Sequence, residues 1–387
     1  MSNGSTNPSL LSPVHDHPDD PNQPQDGIAL CLSGGGYRAM LFHLGSLWRL
    51  NELRYLKKLN RVSSVSGGSI TSGVLALNWS KLGFDANGFA QNFDDQVTKP
   101  IRGMASHSID LSSIVGGLFG GVSKHVVDHY NQYLYNHAPL KNLPDDTQGP
   151  RFVFNATSLQ TGVLWRFSKP YMGDWKVGLI RNPDVELATA VAASSAFPPL
   201  LSPCVVPLNP NSFDPNIQAA RGVTSDFRKQ AVLADGGVYD NLGLETAWKH
   251  NKTILVSNGG GALDLEADPK HDWVSQTNRV LLTIYNQVVT LRTRDIVELY
   301  QLHQRDGVYW GIISDITHYG LPNALVCPLE ATTKLAETAT RLTAMDNNLQ
   351  QQLIDWGYAV CDAGMRRWVV PDAPAPAQSP YGTFKKP

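Results

Sequence analysis

Val62-Ser63-Ser64-Val65-Ser66-Gly67-Gly68-Ser69-Ile70 is the stretch on which the reading of this chain turns. Val62 to Val65, β-branched and small, reads as a short buried strand. From Ser69 onward Ile70, Val74, Leu75 and Leu77 recur at helical spacing. Ser66 therefore falls at a strand-to-helix junction with two glycines directly after it. A turn this tight strains the backbone of its central residue and crowds it, so its neighbours must be small. It also sets the Ser66 hydroxyl near a helix N-terminus, where free N–H groups favour negative charge. Residues 64–68 are a G-x-S-x-G elbow with serine in the first position. A plain Ser/Gly turn has similar letters, so the rest of the chain must decide.

Upstream, Gly27-Ile-Ala-Leu-Cys-Leu-Ser33 reads as a buried strand. Gly34-Gly35-Gly36 then turns into a helix, "GYRAMLFHLGSLWRLNEL", expected to be amphipathic. Strand, turn, helix, strand, turn, helix is the opening of a parallel sheet with crossover helices. Gly34-x-Gly36-x-x-Ala39 also matches a dinucleotide-binding fingerprint. That reading needs an acid closing the second strand to hold a ribose. The second strand closes on "SSVSGGS", with no acid and with a candidate nucleophile. Three successive glycines suit a different role, since their N–H groups can converge on an oxyanion with no side chain in the way.

Downstream, residues 84–150 read as helical and irregular. They include the apolar, glycine-rich "IDLSSIVGGLFGGV" (109–122), either a flap that touches lipid or a closely packed core helix. Strands are expected at "RFVFNATS", "VLWRFS", "QAVLAD", "TILVSN" and "VYWGIIS". A small-residue helix is expected at "VELATAVAASSAF". A long helix, with a break allowed, is expected over 274–305, and a helical segment over 331–370. Residues 1–26 and 371–387, rich in Pro and polar or small residues, read as a disordered leader and tail around one domain, 27–370. The leader lacks the basic and apolar regions of a signal peptide. No apolar run approaches a membrane span. These features suggest a cytoplasmic or peripherally membrane-associated protein.

The 387 residues are 42% hydrophobic with a formal net charge of −2, which points away from nucleic-acid binding and from a polybasic membrane anchor. Cys31, Cys204, Cys327 and Cys361 form no C-x-x-C pair, so neither a zinc site nor a disulfide framework is expected. "HDHPDD" (15–20) holds metal-ligating residue types, but in the leader; no metal or cofactor is expected.

Ser66 needs a base. An ordinary serine hydrolase uses histidine. His250, His271, His303 and His318 come late enough in the chain, yet none stands at a strand end beside a glycine turn. His250 reads as an exposed helix end and His303 as part of a long charged helix. Asp235 does stand there: "AVLADGG" sets it directly after a buried strand, with Gly236 and Gly237 relieving the backbone. Asp-Gly is also a common turn.

Taken together, "SGGGYRA" (33–39), "SVSGGS" (64–69) and "DGGVYDN" (235–241) resemble the patatin-like phospholipases, bacterial members especially. "NATSLQTGVLWRF" and "ATAVAASSAFPPLLSP" support the match, in order and spacing, over roughly 27–370. The resemblance implies a three-layer α/β/α sandwich with a mostly parallel sheet. It implies acyl-ester cleavage by a Ser-Asp dyad without histidine, through an acyl-enzyme. Ser66 is then the nucleophile, Asp235 the base, and Gly34, Gly35 and Gly36 the oxyanion donors. Gly68, Gly236 and Gly237 are positioning residues. Arg38 matches the motif's arginine, and either meets a substrate anion or holds the first helix against a buried acid. Asn241 either orients Asp235 or caps its turn. Ser64 and Ala39 replace glycines of the family pattern, and Ser33 stands where plant patatins carry aspartate. Phe197 to Leu201 would wall an acyl pocket. The expected partner is a lipid or ester substrate, with a membrane surface as one place to meet it. A carboxylesterase for small soluble esters and a non-catalytic or gated lipid-binding module are the alternatives.

Overall fold

The computed structural model describes residues 24–109, 121–263 and 265–384. The expected flap or helix at 109–122 falls almost wholly outside them. Among these residues ten strands make one sheet: β1 Gln25–Leu32, β2 Leu59–Ser64, β3 Arg151–Ser158, β4 Leu164–Phe167, β5 Tyr171–Asp174, β6 Gly178–Arg181, β7 Cys204–Pro207, β8 Gln230–Asp235, β9 Asn251–Asn258 and β10 Asp306–Gly311. The order is β10-β9-β1-β2-β3-β4-β5-β6, with β8 also on β3 and β7 on β8. β10, β9, β1, β2 and β3 pair in parallel, and every pairing beyond them is antiparallel. The sheet is thus mixed, and the expected mostly parallel sheet holds for one half. β5, β6 and β7 are too short, four residues each, to stand out by pattern.

The helices are α1 Gly36–Glu52, α2 Gly67–Leu77, α3 Lys99–Ala105, α4 Gly121–Tyr130, α5 Leu187–Ser194, α6 Gly237–Asp240, α7 Glu245–Trp248, α8 Trp273–Gln301, α9 Leu329–Ala336 and α10 Asn347–Trp368. Alternation along β1 divides the core. Leu30 and Leu32 pack with α1, α2, α5 and α10, whereas Ala29 and Cys31 pack with Leu244, Ala247 and Ile296 from the α7–α8 side. The result is a three-layer α/β/α arrangement, as the motifs implied.

α1 is not amphipathic in place. It is buried nearly all round, because α2 and α10 both pack against it in addition to the sheet. Gly45 faces the Ile354 carbonyl and Gly357 faces the Phe42 carbonyl, so neither position has room for a Cβ and the two backbones touch. α8 runs unbroken. The segment expected to be helical over 331–370 is split into α9 and α10 by residues 337–346. Asp346 starts α10 by accepting the Leu349 N–H at 2.9 Å.

Both termini depart from expectation. Gln25 and Asp26, assigned to the leader, open β1. Of the tail, residues 371–384 lie on the body rather than free. The buried Asp355 carboxylate accepts the Tyr381 N–H (2.9 Å), the Thr383 N–H (2.7 Å) and the Thr383 hydroxyl (2.8 Å). Proline-rich composition signals missing periodicity, not missing partners. Asp355→Ala removes both acceptor oxygens and with them all three bonds. It should lower unfolding stability by about 2–3 kcal/mol and open the tail to limited proteolysis.

Candidate active site

β3 brings the two catalytic candidates together. Along one edge it pairs first with β2 and then with β8. β2 runs parallel and ends with Ser64 opposite Phe154; β8 runs antiparallel and ends with Asp235 opposite Ala156. Two strand ends thus converge head to head, about 7 Å apart along β3. Ser66 and Asp235 both turn out of the sheet at that junction. The Ser66 side chain stands near enough to the Asp235 carboxyl to oppose the rise in its pKa.

Ser66 has φ 51° and ψ −121°, a strained conformation for a residue with a side chain. The surroundings hold it there. Its N–H donates to Ser194 Oγ at 3.0 Å, and Ser194 Oγ donates to the Asn155 carbonyl at 2.7 Å. Gly68 N–H donates to the Ser33 carbonyl at 3.1 Å. A Cβ at Gly67 would strike the Gly36 carbonyl, and one at Gly68 would strike the Leu32 and Ser33 carbonyls. Ser64, read as a mere small substitute, receives a hydrogen bond from Ser69 Oγ at 3.0 Å.

Asp235 is buried, and its N–H donates to the Ala196 carbonyl at 2.8 Å. Desolvation pushes its carboxyl pKa from 3.8 up to about 7, against the opposing hydrogen bond from Gly237 N–H (2.7 Å) and the influence of the nearby Ser66. The phenols of Tyr130 and Tyr285 stand near enough for the carboxylate to add to the burial that keeps them protonated. Gly236 abuts the Asn155 carbonyl, where a Cβ has no room. At Gly237 a Cβ would sit 3.0 Å from Asp235 Oδ1.

The glycine loop lies against this pair: a Cβ on Gly34 would sit 3.1 Å from the Ser66 Cβ. Gly34 N–H is not available to a ligand. It donates to Asn241 Oδ1 (3.1 Å) and to the Asn241 carbonyl (3.2 Å). The N–H groups of Gly35 and Gly36 donate to no acceptor among the described residues. Gly35 (φ 142°) and Gly36 (φ 60°) need glycine for their backbone conformation. The oxyanion candidates thus narrow from three amides to two.

Asn241 joins the Asp235 turn to the glycine loop, a role that neither orienting nor capping describes. Arg38 is buried: Nε donates to the Gly259 carbonyl at 3.1 Å and Nη1 to the Thr338 carbonyl. It does hold α1, and these contacts are to backbone carbonyls of two loops. The 337–346 loop also covers the glycines, with Tyr37 N–H donating to the Arg341 carbonyl at 3.0 Å. Ser194, Asn155 and this loop escaped the sequence reading, because nothing local marks a residue whose partner is far along the chain.

The late histidines are elsewhere. His250, expected at the surface, is buried with Nδ1 2.7 Å from the Thr246 carbonyl. His271, His303 and His318 are exposed. His43 is closer, its Nε2 2.9 Å from the Ser33 carbonyl and its Nδ1 2.8 Å from Ser257 Oγ. Burial lowers its pKa to about 4, so it is a neutral strut for the loop. Among the described residues no group of three or more His, Cys, Asp or Glu could hold a metal, and no helix is long and apolar enough to cross a membrane.

A strained serine close to a buried carboxyl, beside two amides without an acceptor among the described residues, has the parts for nucleophilic acyl transfer. No curated protein matches the chain. Among solved structures it is similar to human GIVD cytosolic phospholipase A2, with 13% identity and a TM-score of 0.51 over 88% of this chain and 61% of that one. The chain therefore spans about three fifths of that protein's length. VipD from Legionella pneumophila matches with 14% identity and a TM-score of 0.34, over 87% of this chain and 66% of that one. Residues 30–248, more than half of the sequence and inclusive of every motif above, match the patatin-like phospholipase family. The chain belongs to that family.

Proposed function

We propose that the protein is a serine acyl hydrolase that cleaves carboxylic esters of lipids, as a phospholipase A or lipase, through Ser66 and Asp235. The observation that carries this reading is the convergence of the strained Ser66 turn with the buried Asp235 carboxyl, whose pKa has risen to about 7. A base with that pKa holds a proton as readily as it gives one up near neutrality. Asp235 takes the Ser66 proton as Oγ attacks the ester carbonyl. The amides of Gly35 and Gly36 receive the oxyanion. Asp235 then passes its proton to the departing alcohol, leaving an acyl group on Ser66. Water enters, gives its proton to Asp235, and attacks the acyl carbonyl. The carboxylic acid leaves and Ser66 regains its proton. Asp235 must be ionised to begin, and its dry surroundings strengthen any hydrogen bond that it accepts from the serine during the reaction.

The test is a fluorophosphonate probe on the purified chain, mapped by mass spectrometry, alongside fatty-acid release from phosphatidylcholine. An adduct on Ser66 with lipid turnover is expected. An adduct with turnover confined to short soluble esters would make the protein a carboxylesterase. No adduct on folded protein would sink the catalytic reading. Gly67→Ala checks the elbow by itself: the new methyl group must displace either Ser66 or Gly36. Labelling should slow by about 100-fold, as expected for a displacement near 1 Å.

A further inference from the structure

α8 has an apolar side that the fold does not use. At about 100° per residue, Tyr285, Val289, Arg292, Ile296 and Tyr300 share one side of this 29-residue helix. That side faces the protein. Tyr285 packs on Phe197 with ring centroids 6.0 Å apart, Arg292 pairs with Glu245 at 3.2 Å, Ile296 is buried, and the Tyr300 hydroxyl donates to the Ile254 carbonyl at 2.7 Å. Trp273, Val280, Ile284 and Leu291 fall within an arc about 40° wide, about 140° away from that side. They are 81%, 54%, 53% and 47% exposed. Isolated exposed apolar residues are ordinary; four in register along about 27 Å of helix are not.

Charge and position identify the occupant. From Trp273 to Arg294 the helix carries three arginines and no acid. Asp295 and Glu298 enter the line of the stripe only beyond Leu291. The neighbours flanking the stripe include uncharged Thr277, Thr283 and Gln287. Of these arginines, Arg279 pairs with Glu266 and Arg292 with Glu245, so along that length the helix itself offers an anionic surface no carboxylate, and an indole at its end suits the boundary between headgroups and acyl chains. The same helix walls the catalytic candidates: Tyr285 Cε2 lies 3.0 Å from where a Gly237 Cβ would be. The loop after Phe197, on which Tyr285 packs, exposes Leu200 by 70%.

We propose that the outer side of α8 seats the protein on a lipid bilayer, with Trp273, Val280, Ile284 and Leu291 entering the headgroup–acyl boundary. The proposal rests on the lipid-ester reading of the neighbouring site. The test uses the full chain and vesicles of phosphatidylcholine and phosphatidylglycerol (4:1). Co-sedimentation is measured with Ser66→Ala, which leaves the vesicles intact, with and without Trp273→Ser, Val280→Ser, Ile284→Ser and Leu291→Ser together. The four changes should weaken partition by at least about tenfold. In the Ser66 chain they should cut vesicle hydrolysis alike, while turnover of p-nitrophenyl butyrate stays unchanged. An unchanged melting temperature confirms the fold, and Ile284→Leu should keep the binding. Equal partition with and without the four changes overturns the proposal, as does a parent that ignores vesicles. A parent that is dimeric by light scattering, and monomeric after the changes with partition unaltered, would assign the stripe to a second copy. Vesicle binding lost with the stripe, from a chain that hydrolyses nothing, would keep the docking surface and sink the hydrolase.

Discussion

Ser66→Ala is expected to abolish fluorophosphonate labelling and to lower ester turnover by about 10⁵-fold or more, the order seen when a catalytic serine is removed from a hydrolase. The serines flanking it are engaged elsewhere. Ser69 Oγ is engaged with Ser64 Oγ (3.0 Å) and Ser194 Oγ (2.9 Å), and Ser194 Oγ donates to the Asn155 carbonyl. The variant should still fold. Alanine meets the same φ of 51° with a smaller side chain, and the Ser66 N–H keeps its bond to Ser194. A loss of activity with an unchanged melting temperature would therefore speak for chemistry. Residual labelling on another serine would refute the assignment.

Asp235→Asn has the second-largest expected effect, a fall of about 10³–10⁴-fold, the range for loss of a general base. In the parent chain the rate should rise tenfold per pH unit below about 7 and level off above it, because Asp235 must be ionised to accept the serine proton. A rate that breaks near pH 4, or stays flat from pH 5.5 to 9, would remove Asp235 from that role.

Stability should move the other way. The carboxyl pKa is about 7 in the folded protein and about 3.9 in an unfolded chain. Between those values the folded state holds a proton that the unfolded state has lost, so stability falls as pH rises from about 4 to 7. Above pH 8 the buried charge costs at most about 4 kcal/mol. Asparagine keeps an acceptor for Gly237 N–H and carries no charge. Asp235→Asn should therefore melt higher than the parent at pH 8 and close to it at pH 4. The opposite order would mean that the folded state stabilises the ionised carboxylate.

The catalytic candidates were legible because their demands are local. A strand-like run followed by Ser66-Gly67-Gly68 fits strand, tight turn and helix, and the other two glycine motifs decided it against a plain Ser/Gly turn. Asp235 before two glycines carries the same information. The supporting residues were illegible for the opposite reason. Ser194 serves Ser66 across 128 positions, and Asn241 reaches Gly34 across 207. No spacing rule spans such distances.

By itself, the sequence determined the two turns, the glycines that only a crowded backbone requires, and the order of motifs that places the chain in its family. These follow from φ/ψ sterics and short-range periodicity, which neighbouring residues set among themselves. Tertiary structure alone decided which amides stay free, that β8 runs back along β3 to meet β2, and that α1 is enclosed by α10. It also decided that Asp235 is buried, with its carboxyl pKa raised to about 7. Burial and hydrogen-bond pairing depend on what the rest of the chain packs against each group, and that is known only once the chain has folded.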